Sequence, residues 1–249
     1  MRSDELPVTT LNPTTRESGP SQVAFRLMAM LFAALLGVQC VWLLLVEVAR
    51  PDIDRLPTDT VSAAAAAKQR DAASWAALIG GVRGDLWAQS AFTYADLLWA
   101  ERAPSADADL TKTLARARVS LDHALDDGPH QSSAWLLLAG LALRFPSLGL
   151  DPTEPLKMSY YTGPSEQHLV PMRLRIAVHS DRLSDIEMRQ FVGRDLRFLL
   201  ARKQKSAIAE AYNAASPAGR SFIEQAVGDV DPSARDSLRT GAQKQPLPD

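Results

Sequence analysis

The chain has 249 residues, 22% of them charged, and a net charge of −2, which allows one or two domains. The near balance of charges disfavours nucleic acid as a partner, because nucleic-acid-binding domains usually carry a marked basic excess. The single cysteine, Cys40, excludes an intramolecular disulfide and a cysteine metal cluster. Arginine and alanine are abundant, and their GC-rich codons are typical of GC-rich bacterial genomes.

The first predicted element is one transmembrane helix. Residues 27–46 read LMAMLFAALLGVQCVWLLLV and contain no charged side chain. A helix of this length, at about 1.5 Å per residue, spans a bilayer core of about 30 Å. We predict a disordered tail over residues 1–21, which hold three prolines and no apolar periodicity, and a transmembrane anchor over residues 22–50.

A cleaved signal peptide is the main alternative to this anchor. The apolar region of a signal peptide is usually about 7–15 residues long and ends close to a cleavage site made of small residues. Here the apolar run is longer and closes with the bulky sequence VWLLLVEVARP. We therefore favour an uncleaved anchor.

The flanking charges give little information on the orientation of the anchor. Arginines stand on both sides of it, at Arg2, Arg16 and Arg26 before the run and at Arg50 and Arg55 after it. This comparison is close to a tie. A short N-terminal tail and a long C-terminal region favour a single-pass protein of the bacterial inner membrane with its C-terminal domain in the periplasm.

Three small residues in the apolar run, Ala29, Ala33 and Gly37, are spaced four apart. Such spacing lets two transmembrane helices approach closely, so these residues are candidates for a helix–helix contact. Ordinary alanine-rich filler is the interpretation we favour.

After the anchor we predict a linker over residues 51–61, a helical domain over residues 62–240 and a disordered tail over residues 241–249. Residues 62–79 are rich in alanine, with Trp75 and Leu78 three apart, and glycines follow at residues 80, 81 and 84. Apolar residues recur at helical spacing over 85–101 and 109–126, and residues 133–145 are almost wholly apolar. The last of these helices is expected to lie between neighbours.

Later helix starts are marked by polar residues that precede a proline or an acid. The four signals are Asp151-Pro152-Thr153-Glu154, the capping box Ser184-Asp185-Ile186-Glu187, Ser216-Pro217 and Asp231-Pro232. Residues 172–178 partly alternate as a strand would, but a lone strand has nothing to pair with, so we predict a helix there. The predicted fold class is all-α.

One stretch resembles the tetratricopeptide family of helical-hairpin repeats, whose pattern is W-x₂-L-G-x₂-Y, then A-x₃-F, then P. The matching residues are Ala117, Leu121, Ala124, Leu125 and Pro129, followed by Trp135, Leu138 and Ala139. Upstream, Trp87, Ser90, Ala91 and Tyr94 echo the same helix. By this resemblance Trp135 opens a new hairpin, and the family implies protein–protein binding.

The resemblance covers about residues 85–164 and departs from the family in two ways. Trp87 and Trp135 are 48 residues apart, where one period is about 34 residues. Ala142 stands where tyrosine is usual. A helical bundle without repeats is the alternative architecture.

No local motif predicts a catalytic, cofactor-binding or metal site. The histidines, His123, His130, His168 and His179, form no close ligand pair, and Asp126-Asp127 is typical of a helix end. The glycines of residues 80–84 lack the lysine and hydroxyl residue of a phosphate-binding loop, and no G-x-S-x-G motif is present. Local motifs do not decide whether the chain is an enzyme, because catalytic groups can converge from distant positions.

Residues 167–205 form the most basic stretch. They hold Arg173, Arg175, Arg182, Arg189, Arg194, Arg197, Arg202, Lys203 and Lys205 against four acids. A solvated helix face is the interpretation we favour. Contact with anionic lipid headgroups or with an acidic polymer is the alternative.

Together these patterns predict a membrane-anchored adaptor or assembly factor of the bacterial cell envelope that binds a protein partner. Surface polysaccharide export and cytochrome maturation are candidate processes, by analogy with other anchored helical-repeat proteins. The alternative is an envelope enzyme, such as a hydrolase acting on a polymer. Convergent carboxylates or a Ser–His pair in a pocket would favour the enzyme, and an open helical surface would favour the adaptor.

Overall fold

A computed structural model describes residues 20–53, 55–99, 108–179 and 181–243. These residues contain twelve α-helices and four short 3-10 helices and no strand, which confirms the predicted all-α fold class. The predicted tail over residues 1–21 lies almost wholly outside the described residues, as do residues 244–249. The chain divides into two compact units, residues 1–45 and residues 46–249.

The first unit is the apolar helix. Helix α1 spans Pro20–Ala49, and its part Ser21–Ala49 is long and apolar enough to cross a membrane. This finding confirms one N-terminal apolar helix, a feature that membrane anchors and signal sequences share. Ala29, Ala33 and Gly37 are exposed on this helix, and their role in a helix–helix contact stays a prediction.

The second unit holds the remaining helices. They are α2 (Thr60–Ala67), α3 (Arg70–Gly80), α4 (Gly84–Phe92), α5 (Ala108–Asp127), α6 (Ser132–Arg144), α7 (Thr153–Thr162), α8 (Val170–His179), α9 (Ile186–Ala201), α10 (Lys205–Ala214), α11 (Pro217–Gly228) and α12 (Pro232–Gln243). The 3-10 helices are Ala95–Leu98, Pro146–Leu148, Gln167–Leu169 and Asp181–Ser184. Residues 172–178 lie in α8, so the helical prediction is confirmed there.

Several boundaries differ from the predicted ones. The segment predicted as a polar linker carries buried Ile53 and Leu56, so it belongs to the packing of the second unit. The alanine-rich segment predicted as helical over residues 62–79 forms two helices, because the helix is interrupted between Ala67 and Arg70. Helix α12 continues to Gln243, which is past the predicted end of the domain.

The helix starts follow the capping signals closely. Ser216 accepts a hydrogen bond from the backbone N–H of Gly219 at the start of α11, as predicted. At α9 the capping residue is Asp185, which accepts from the N–H groups of Glu187 and Met188, so the prediction of Ser184 was wrong by one residue. An N-cap must have extended backbone while its side chain reaches the next turn, and Asp185 meets both conditions.

The central helices form two hairpins. Helix α4 packs against α5, and α6 packs against α7. The start of each first helix meets the end of each second helix, so both pairs run antiparallel. A Cβ atom at Gly84 would lie 3.0 Å from the backbone nitrogen of Gly128, and one at Gly163 would overlap Ser132. Both closures therefore need a glycine at the point of contact.

The two hairpins also begin in the same way. Trp87 is the fourth residue of α4, and Trp135 is the fourth residue of α6. Each indole Nε1 donates a hydrogen bond to the carbonyl oxygen six residues earlier, at 2.7 Å to Gly81 and 2.8 Å to Pro129. The prediction that Trp135 opens a hairpin is confirmed, and membership of the tetratricopeptide family stays a prediction.

Trp135 is only partly buried, which lowers the expected effect of its removal. The substitution Trp135→Ala is expected to reduce the free energy of unfolding by roughly 2 kcal/mol, below the 3–5 kcal/mol typical of a fully buried tryptophan. Denaturant unfolding of the full-length chain in detergent, followed by far-ultraviolet circular dichroism, measures this loss. A loss above about 4 kcal/mol would contradict the partial burial.

Candidate functional site

Helix α3 is apolar on two opposite faces, which marks it as an unusual surface helix. Its small residues Ala73, Ala76 and Ala77 are buried against the rest of the unit. Its large residues face outward, with Trp75 65% exposed and Leu78 62% exposed. Ile79 and Val82, which follow in the sequence, are also exposed. Soluble surfaces rarely keep a contiguous set of large apolar side chains in water, so this face is a candidate contact surface.

The exposed face of α3 forms one wall of a groove, which we call the α3–α5 groove. Helix α5 forms the other wall through Ala115, Arg116 and Val119, and α4 lies at the bottom. The groove has a volume of about 410 Å³. Val119 is 52% exposed, so large apolar side chains stand on both walls.

The floor of the groove is closed by polar pairs. The hydroxyl groups of Ser90 and Ser120 lie 3.1 Å apart and are buried. The ring of Trp87 stacks on that of His123 with 4.4 Å between the centroids, which fixes the indole in place. The two hydroxyl groups bond each other, and the indole Nε1 of Trp87 donates to the carbonyl oxygen of Gly81, so these floor groups are already paired. The groove therefore presents mainly apolar contact area.

One end of the groove is fixed by Arg70. Its Nη2 donates to the carbonyl oxygen of Thr93 at 2.8 Å and to Oδ1 of Asp96 at 2.9 Å, while its guanidinium carbon lies 4.4 Å from the centroid of the Tyr94 ring. Burial raises the pKa of the Tyr94 hydroxyl above its ordinary value. Arg116, by contrast, is exposed and has no ion pair within the described residues.

A separate polar cluster lies buried between α7, α8 and α9. Arg173 is 0% exposed and donates to the Ser159 hydroxyl and to the carbonyl oxygens of Ser159 and Gly163. The Tyr160 hydroxyl donates to Oδ2 of Asp195 at 2.9 Å. Burial raises the pKa of Asp195 to about 6, and it raises that of Tyr160 well above its ordinary value.

The basic stretch of residues 167–205 is therefore not one solvated face. Arg173 is fully buried, and Arg175 is half-buried with its guanidinium carbon 4.2 Å from the centroid of the Trp99 ring. Arg194 and Arg197 are exposed. The favoured interpretation was wrong for Arg173, because this side chain turns inward to the C-terminal end of α7.

The four histidines lie on the surface of the helical unit. His123, His130, His168 and His179 are all exposed, and no group of three possible metal-binding side chains occurs within the described residues. Asp126 and Asp127 are exposed at the end of α5, as a helix end predicts.

Convergent carboxylates and a Ser–His pair in a pocket are the features that would favour an enzyme, and neither lines the described pockets. Asp185 and Glu187 converge on Lys157, with Asp185 Oδ2 2.5 Å and Glu187 Oε2 3.3 Å from its Nζ, and Asp185 also caps α9. No hydrogen bond joins a serine to a histidine in the part of the chain that the structure describes. Asp185 and Glu187 therefore stabilise the start of α9 and its contact with Lys157, which accounts for their position.

Comparison with known proteins found no relative of this chain: no family model, curated protein or solved structure matches it. The described residues define an all-α protein with helical hairpins and one apolar helix long enough to cross a membrane.

Sequence reasoning missed the walls of the groove. The spacing of Trp75 and Leu78 indicated a helix face, and large apolar residues are normally expected to face the core. The available signal was the second apolar face of α3, formed by alanines at the complementary positions. A helix at the surface packs only one face against its own domain, so two apolar faces predict that one of them is exposed to solvent.

Proposed function

We propose that this protein is a membrane-anchored interaction protein of the bacterial cell envelope whose α3–α5 groove binds an amphipathic helix of a membrane-bound partner. The observation that carries this proposal is the exposure of Trp75, Leu78 and Val119 on facing walls above a closed floor. Covering these side chains removes apolar surface from water, which is the main favourable term in association.

The shape and charge of the groove support a helix as its occupant. Apolar side chains on both walls fit a helix that inserts apolar residues spaced three and four apart. Asp71 and Arg116 both stand exposed at the groove, and they favour a partner helix with charges of both signs beside its apolar face.

The apolar helix Ser21–Ala49 supports the membrane part of the proposal. Bulky residues close its apolar run, which fits an anchor that is retained. We place the anchor in the inner membrane, with the helical domain in the periplasm. Confining the groove beside the bilayer would raise its effective concentration for a membrane-bound partner.

Photocrosslinking in cells tests this proposal. A benzophenone amino acid at position 78 is expected to capture one membrane protein, and mass spectrometry is expected to map the adduct to an amphipathic helical segment on its periplasmic side. The further substitution Val119→Ser is expected to lower the adduct yield by at least about fivefold, since full burial of a valine side chain contributes about 1.5–3 kcal/mol.

A matched control uses the same substitution on a similar surface. Val230 is 56% exposed and lies outside the groove, so Val230→Ser is expected to leave the adduct yield unchanged. An adduct only to lipid or to the chain's own residues would contradict the proposal. Equal yields from the Val119→Ser and Val230→Ser chains would also contradict it.

A further inference from the structure

A second cavity lies on another part of the helical unit, between α6, α8 and the 3-10 helix Ala95–Leu98. Its volume is about 280 Å³, close to the lower end of the range for small-molecule sites. We call it the α6–α8 pocket. Its apolar walls come from Leu98, Leu143, Pro146, Met172 and Ile176.

A glycine keeps the pocket open beside α6. A Cβ atom at Gly140 would lie 3.0 Å from Cδ2 of Leu98 and 3.3 Å from Cδ1 of Ile176. A larger side chain at this position would occupy space that the pocket uses.

The polar groups of the pocket are biased towards positive charge. Arg144, Arg175 and His179 line it, and no acidic side chain does so within the described residues. His179 Nδ1 lies 2.7 Å from the carbonyl oxygen of Ala214, which can only accept, so Nδ1 carries a proton for that bond. The two guanidinium groups therefore provide the permanent charge.

Arg175 packs on an aromatic ring and makes no direct ion pair within the described residues. Its guanidinium carbon lies 4.2 Å from the centroid of the Trp99 ring, and within the described residues its guanidinium has no hydrogen bond and no ion pair. Burial lowers its pKa, while Glu210 nearby acts in the opposite direction. The indole Nε1 of Trp99 is also buried without an acceptor in the described part of the chain.

We propose that the α6–α8 pocket binds a small organic acid, with its carboxylate at Arg175 and Arg144 and its apolar body against Leu143 and Met172. The planar guanidinium matches a carboxylate through paired hydrogen bonds. The apolar walls disfavour a bare inorganic anion, and the charged pair disfavours a neutral hydrocarbon. This site is independent of the α3–α5 groove and goes beyond the proposed interaction function.

The test uses the full-length chain in lipid nanodiscs and phenylacetate as the probe. A titration followed by saturation-transfer-difference NMR is expected to show saturable binding that empty nanodiscs do not give. 2-Phenylethanol supplies the apolar body without the charge, and acetate supplies the charge without the body. 2-Phenylethanol is expected to bind at least about tenfold more weakly, since a hydrogen bond to a charged group typically contributes a factor of this size or more. Acetate is expected to bind at least about tenfold more weakly because it buries no aromatic ring.

Arginine variants locate the site. Arg175→Gln is expected to weaken phenylacetate binding by at least about tenfold, and Arg144→Gln is expected to weaken it in the same direction. Arg197→Gln is the matched control, because Arg197 is exposed on α9 and does not line the pocket.

Several results would overturn the proposal. They are the lack of saturable phenylacetate binding, equal affinity for phenylacetate and 2-phenylethanol, and unchanged affinity in a folded Arg175→Gln chain. If Arg175→Gln disturbs folding, the Arg144→Gln variant and the comparison of the three probes on the wild-type chain decide the question.

Discussion

Replacing Arg173 with alanine is expected to lower the free energy of unfolding by about 3–5 kcal/mol, because it removes a buried charge that other buried groups depend on. Arg173 is 0% exposed. Its Nε lies 3.0 Å from the Ser159 hydroxyl, and its Nη1 lies 2.9 Å from the carbonyl oxygen of Gly163. Its Nη2 donates to the carbonyl oxygen of Ser159.

These acceptors explain the size of the effect. Ser159 and Gly163 lie at the C-terminal end of α7, where a positive charge is favourable. Their carbonyl oxygens also accept from the backbone N–H groups of Gly163 and Glu166, so Arg173 adds a second donor to each. Alanine would leave those oxygens buried with fewer donors and would open a cavity under the Tyr160 ring, which lies 4.9 Å from the guanidinium carbon.

Denaturant unfolding of the full-length chain in detergent, followed by tryptophan fluorescence, measures the loss. Arg173→Lys is expected to fall between the wild type and Arg173→Ala, because lysine retains the charge without the planar fork. Arg197→Ala is the control, and its exposed side chain predicts a change within about 0.5 kcal/mol. A loss below about 1 kcal/mol for Arg173→Ala would show that the cluster contributes little to stability.

Local sequence signals predicted most of the helices. Apolar spacing and capping residues act within one or two turns, so α5 and α6 begin and end close to their predicted limits, and α11 begins where Ser216-Pro217 predicted. The match of Trp135 to the start of α6 has the same local origin. Where local signals competed, as at Ser184 and Asp185, the backbone conformation selected the residue that could cap.

The candidate sites depend on tertiary packing, which those signals do not contain. Helix α3 has one face of alanines and one face of large apolar residues, and its hydrophobic pattern alone does not tell which face is buried. The small face faces inward and leaves Trp75 in water. The α6–α8 pocket likewise joins Trp99 and Arg175, which are far apart in the sequence and meet only after α6 and α8 have packed.

Asp195 is expected to make stability fall as pH rises from about 4 to about 6. Its side chain is buried on α9, with the residue 3% exposed, and burial raises its pKa from 3.8 to about 6. The Tyr160 hydroxyl, Arg173 and Arg194 act in the opposite direction. Between the two pKa values the folded chain binds the proton more strongly than the unfolded chain, so raising the pH across this window favours unfolding.

The substitution Asp195→Asn isolates this contribution, because asparagine has no proton to lose and its carbonyl oxygen can still accept from Tyr160. The stability difference between Asp195→Asn and the wild type is expected to shift by about 2 kcal/mol in favour of the variant between pH 4 and pH 7, since each pH unit between the two pKa values contributes up to about 1.4 kcal/mol. Denaturant unfolding of both full-length chains at each pH measures the difference. Asp229 is exposed, so the stability of the Asp229→Asn chain is expected to differ from that of the wild type by the same amount at each pH. Parallel curves for Asp195→Asn would mean that the buried carboxylate has the same proton affinity in the folded and unfolded chains.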